Sequence, residues 1–165
     1  MALGKSHDAV NLLFLPLPLY FLPKEFYIPF TLGYLIGTFF LSPDLDLRHS
    51  KPSRRWRSLK VLWLPYQKSS RHRGMSHVPI LGTFLRLMYL NLLVVFLYFV
   101  AISVLYTVSP HLSYPLLSFD LKAFFDHLAK SESSFYFLLG LFLSEILHVL
   151  LDALFTFRRT LLRTK

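Results

Sequence analysis

The chain contains no cysteine, which removes disulfides, thiolate zinc sites, iron–sulfur clusters and thiol nucleophiles together. A metal here has to be held by imidazole and carboxylate. Charge is scarce too. Asp, Glu, Lys and Arg make up 16% of the 165 residues, where a soluble domain carries about 25%. With hydrophobic residues at 54%, 17 Phe and 9 Tyr, that deficit excludes a disordered chain and argues against an ordinary soluble enzyme. A chain of this kind keeps much of its apolar surface in lipid. Acidic residues are missing where basic ones crowd: between Arg48 and Arg73 stand nine Lys or Arg and no Asp or Glu. No repeat or low-complexity segment is present, and the length suits a single domain over 1–165.

Four apolar stretches are expected to be membrane-embedded. Residues 26–42 are 17 without a charge, near the lower limit for a membrane helix. Residues 87–108 are another 22, extending back through Arg86 to about Val78. The stretch 134–157 is apolar except for Glu145, His148 and Asp152. Before these, 9–23 is short and holds Pro16 and Pro18, so a bent helix or half of a re-entrant hairpin is expected. Cleavage as a signal peptide is not expected, because Leu22-Pro23-Lys24-Glu25 is a poor cleavage site. The fold class is therefore all-α: a compact integral-membrane helical bundle with short interfacial helices.

Lysine and arginine set the orientation. The loop 48–73 and the tail Arg158 to Lys165 are both basic, and such segments stay cytoplasmic. The loop 109–133, nearly balanced in charge, belongs outside. Both termini are then cytoplasmic, and the chain is expected in the inner membrane. Trp56, Leu59 and Trp63 recur at helical spacing among cations, as in an amphipathic helix at anionic headgroups, or in a cover packed on the bundle. Leu121, Phe124, Phe125 and Leu128 form a similar stripe outside. Membrane lipids are the expected partner of the 48–73 loop and nucleic acid is not, since apolar segments on both sides make headgroups the nearer polyanion.

Ionisable groups at membrane depth are costly and usually face a partner, a cavity or a metal. Four patterns stand out: Ser6-His7-Asp8; Ser42-Pro43-Asp44-Leu45-Asp46; Arg71-His72-Arg73-Gly74-Met75-Ser76-His77; and Glu145, His148, Asp152 on one helix face. Each alone has a bland explanation: a helix cap, a turn after proline, surface histidines, a buried His–Asp pair. The topology brings them together. His7, Asp44, Asp46, His72 and His77 all emerge at the cytoplasmic ends of their segments. Asp152, six residues before Arg158, lies roughly 9 Å below that face, and His148 about 15 Å.

Such a donor set suits a metal. Asp44 and Asp46 can share one ion or bridge two, His72 and His77 can converge around Gly74, and His148 and Asp152 lie one turn apart. Imidazole with carboxylate favours Zn²⁺, then Mn²⁺ or Fe²⁺, as one or two ions. Arg48, Arg71 and Arg73 are placed to hold an anionic substrate.

Together these motifs resemble the membrane-bound metal-dependent hydrolases of bacteria, and most closely a branch known only as metal-binding proteins. The resemblance covers about residues 5–90 and 140–157, including Trp63-Leu64-Pro65-Tyr66-Gln67-Lys68. It implies a helical membrane protein with His7, Asp44, Asp46, His72, His77, His148 and Asp152 around metal. Val78-Pro79 follows the last motif histidine, where wider relatives often have serine. The leading expectation is hydrolysis of a phosphoester of a lipid or lipid-linked molecule, with Glu145 or an aspartate that does not ligate the metal as general base and Arg71 and Arg73 on the substrate. The alternative is a non-catalytic metal-binding membrane protein whose ion is structural or regulatory.

Overall fold

The computed structural model describes residues 4–70 and 78–163, and every regular element in them is helical. The first apolar stretch folds as α1 (Gly4–Phe14) and α2 (Pro16–Phe21). Leu15 between them keeps helical angles (φ −54°, ψ −40°) and its N–H still reaches the Asn11 carbonyl at 3.1 Å. Helical geometry thus carries across the junction, although Pro16 and Pro18 have no N–H to give the ladder. Leu22, before Pro23, is extended at ψ 152°, as the proline ring requires of its predecessor. A 3-10 turn, Lys24–Phe26, then leads back into α3 (Tyr27–Phe39). Asn11 reaches both Tyr34 and Thr38 of α3, so the two segments form an antiparallel hairpin.

Helix α3 has 13 residues, about 20 Å, and falls short of a hydrocarbon core of about 30 Å. The extended Ser42 (ψ 151°) before Pro43 closes off its continuation. The expected four membrane-embedded segments thus resolve into two helices of spanning length: α6 (Leu81–Val108) and α9 (Glu132–Arg163). None of the most apolar stretch of α6 is buried, unlike a core helix of a soluble protein.

The centre of the fold is α3 packed alongside α9. Phe26 stacks on Tyr136 at 4.1 Å, Gly37 meets Leu141 and Ser144, and Ser42 meets His148, so the two helices run in parallel. Glycine permits the approach. A Cβ on Gly140 would stand 2.8 Å from the Tyr34 nitrogen, and one on Gly33 would collide with the Phe137 carbonyl. The Gly33-x-x-x-Gly37 pair therefore serves packing inside the chain. Gly33→Ala is expected to force the helices apart and cost about 1–3 kcal/mol, read as a lower melting temperature in detergent. An unchanged melt would contradict so close an approach.

The basic loop departs from a continuous amphipathic helix. It comprises α4 (Lys51–Arg55), a 3-10 stretch Arg57–Trp63 and α5 (Leu64–Ser69), broken at Arg57 where φ is +49°. Trp63 is buried with Leu41, Leu45, Tyr66 and Leu141, so the loop is a cover over the bundle end. Its cations work on that end: Arg55 donates to the Phe39 carbonyl at 3.1 Å and lies over the Phe39 ring, while the Trp56 indole donates to the Phe40 carbonyl at 3.1 Å. Carbonyls at a helix C-terminus lack partners and carry partial negative charge, which suits these donors. At the opposite end lie α7 (Pro110–Leu117) and α8 (Leu121–Lys130), the latter capped by the Asp120 carboxylate on the Ala123 N–H.

Candidate metal centre

Because α1 runs away from the covered end while α3 and α9 run toward it, the start of α1 meets the ends of the other two. His7 on α1, His148 and Asp152 on α9 converge there, with one donor atom from each lying within 4.8 Å of the others. His7 Nε2 stands 3.4 Å from Asp152 Oδ1. The two imidazoles stack at 4.3 Å with an interplanar angle of 22°, and both residues are buried. Asp44, in the 3-10 turn Pro43–Asp46, brings its carboxylate 3.8 Å from His148 Nε2.

Two features fit this group to a divalent ion. Ligand atoms around a tetrahedral ion with bonds of 2.1 Å lie about 3.4 Å apart, which the His7–Asp152 pair already matches. Ser42 Oγ lies 3.5 Å from His148 Nδ1, which leaves Nε2 as the nitrogen facing the carboxylates. A second-atom anchor of this kind commonly orients a ligating histidine. Two nitrogens with carboxylate oxygens suit zinc, manganese or iron.

The remaining expected site residues are distributed as follows. Asp46 is buried in the same turn as Asp44 but is not part of the three-residue group. His72, His77, Arg71 and Arg73 lie outside the described residues. Glu145 is drawn into a different task. Its Oε1 pairs with Arg86 Nη2 at 2.5 Å. Its Oε2 accepts from the Ile80 and Thr83 N–H groups at 3.2 Å each and from the Thr83 hydroxyl. It thereby caps the start of α6 from the neighbouring helix, a structural role that the sequence did not disclose.

Residues not singled out as site residues hold the centre in place. Gln67 on α5 donates to the Leu45 carbonyl at 2.9 Å and to Ser53 Oγ at 2.8 Å, fixing the turn that presents Asp44. Asn11 donates to Thr38 at 3.1 Å and, at 3.5 Å, to the Ser144 carbonyl, tying α1 to α3 and α9. A lone amide within an apolar stretch was the available signal for it. Asp8, next to His7, pairs with Arg55 at 2.7 Å and Lys51 at 3.4 Å, so it anchors α1 to the loop. Asp8→Asn is expected to cost about 1 kcal/mol in a thermal melt and to leave bound metal unchanged. Loss of metal would instead make Asp8 a ligand.

A family model described as "Uncharacterized metal-binding protein (DUF2227)" matches residues 2–161. The chain belongs to this family. An "Uncharacterized protein" of Aquifex aeolicus (strain VF5) is 51% identical over 135 residues, covering 82% of this chain and 95% of that one. No solved structure matches. For this DUF2227 member, the resemblance to metal-dependent hydrolases narrows to metal binding, which the family's description states and the His7–His148–Asp152 group can accommodate.

Proposed function

We propose that the chain is a metal-binding membrane protein whose ion ties α1 and α9 to the Pro43–Asp46 turn at the cytoplasmic end of the bundle. The observation that carries this reading is the convergence of His7 with His148 and Asp152 from the two ends of the sequence, with donor atoms within 4.8 Å. His7, His148, Asp152 and Asp44 hold the ion, and zinc suits the set best. The membrane placement rests on two helices of spanning length, the unburied apolar face of α6 and the basic residues gathered beside the centre. Anything that binds the folded state alone stabilises it by mass action, about 2.7 kcal/mol at a hundred times Kd. The test is a thermal melt with and without a chelator. A structural ion predicts a melt several degrees lower after chelation, restored by adding zinc. An unchanged melt would contradict it.

A second reading, hydrolysis of a phosphoester at the same centre, is favoured by one observation. Both imidazoles are buried, yet the Asp152 and Asp44 side chains stay 20% and 27% exposed, so the carboxylate side of the centre is open. A bound divalent ion would supply Lewis acidity there, with Asp152 and Asp44 to hold and orient it. Under this reading chelation silences turnover while the melt stays in place, and Asp152→Asn folds but does not turn over. Turnover by Asp152→Asn would sink it.

A further inference from the structure

The cover over the bundle end contains a cavity of about 370 Å³ whose walls include Arg48, His49, Ser58, Lys60 and Gln67. Its size is in the range of small-ligand sites. No carboxylate is among its lining residues, and none occurs in the sequence between Asp46 and Arg73. The donors differ in kind: a planar guanidinium, a point-charge ammonium, an imidazole and a hydroxyl. That mixture suits a tetrahedral phosphate, which takes a forked pair from arginine and single bonds from the rest. Arg57 supplies an independent observation. It holds φ +49°, a left-handed conformation unfavourable for a residue with a side chain. The chain leaves α4 through this residue, and the 3-10 stretch beyond it brings Ser58 and Lys60 to the same cavity as Arg48 and His49. Strain kept at one joint of a donor-lined cavity is a frequent mark of a functional site.

We infer that this cavity is an anion site for a phosphate group, free or on a lipid headgroup. Arg48 and Lys60 supply the charge, and His49 and Ser58 the additional hydrogen bonds. The site does not need the ion. Gln67 nevertheless links the two centres, since it lines the cavity and also holds the Leu45 carbonyl between Asp44 and Asp46.

The test uses detergent-purified full-length chain titrated calorimetrically with inorganic phosphate and, separately, with dihexanoyl phosphatidic acid below its micelle concentration; dihexanoyl phosphatidylcholine is the comparison. R48A/K60A is expected to bind about tenfold or more weakly. R54A/K68A loses the same two charges from exposed positions outside the cavity and is expected to stay within about twofold of wild type. Binding of both phosphate probes identifies the phosphate group as sufficient; binding of phosphatidic acid alone identifies a lipid headgroup as the ligand. Equal losses in the two double variants, or no binding of either phosphate probe by wild type, would overturn the inference. Ser58→Asp, which places a carboxylate among the cations from an exposed position, gives the same loss should R48A/K60A fail to fold. Metal content measured on each variant is expected at the wild-type value, which separates failure here from failure of the metal centre.

Discussion

Glu145→Ala is expected to destabilise the protein by about 3–5 kcal/mol, the range for removing one partner of a buried ion pair. Glu145 and Arg86 are 2% and 0% exposed by side chain, so the guanidinium left behind would lose its carboxylate in a dry environment. The same substitution strips the Ile80 and Thr83 N–H groups of their acceptor and frays the start of α6. Glu145→Gln keeps an acceptor for those amides but removes the charge, and is expected to fall between alanine and wild type. The pair Arg86→Met/Glu145→Met should cost less than the sum of its single changes, because no unpaired charge remains. Melting temperatures of wild type, Glu145→Ala, Glu145→Gln, Arg86→Met, Glu145→Met and the double variant in one detergent check the ranking. All within about 1 kcal/mol of wild type would contradict the capping network.

The second large effect belongs to the metal centre. His148→Ala removes a ligand, and its affinity for zinc should fall beyond the 10–100-fold typical of outer partners. Ser42→Ala removes only the group beside His148 Nδ1 and is expected within that 10–100-fold range. Competition with a fluorescent zinc chelator measures both. Equal affinities for the two variants would contradict the assignment of His148 Nε2 as ligand and Nδ1 as anchored nitrogen.

Much of this centre is legible in the sequence, for a physical reason. Charge bias orients the segments, orientation selects one end of the bundle, and His7, Asp44, His148 and Asp152 are the costly polar groups at that end. Their convergence follows from topology alone, and the structure brings them together. Glu145 shows where such reasoning stops. A carboxylate three residues before His148 is indistinguishable by spacing from a catalytic base; its partner, Arg86, lies on another helix 59 residues away. The clue was Arg86 itself, a cation inside an apolar stretch that had to be paired.

Helix lengths were legible only in part. Hydropathy marks 26–42 as one apolar run, but Ser42 turns extended ahead of Pro43 and α3 stops at Phe39. In the basic loop, tryptophans at helical spacing suit an amphipathic helix and a cover on the bundle equally. The left-handed Arg57 breaks that period, and Trp63 enters the core. Backbone breaks at residues other than glycine and proline leave little trace in a sequence.

The central claim is that this chain holds a divalent ion between α1 and α9, and metal content tests it most directly. The measurement is elemental mass spectrometry of detergent-purified wild type beside His7→Ala/His148→Ala, after dialysis against buffer carrying zinc, manganese and iron and then against metal-free buffer. The predicted result is one or two equivalents in wild type, zinc foremost, and none in the double variant. Wild type without stoichiometric metal, or a double variant that retains it, would contradict the account.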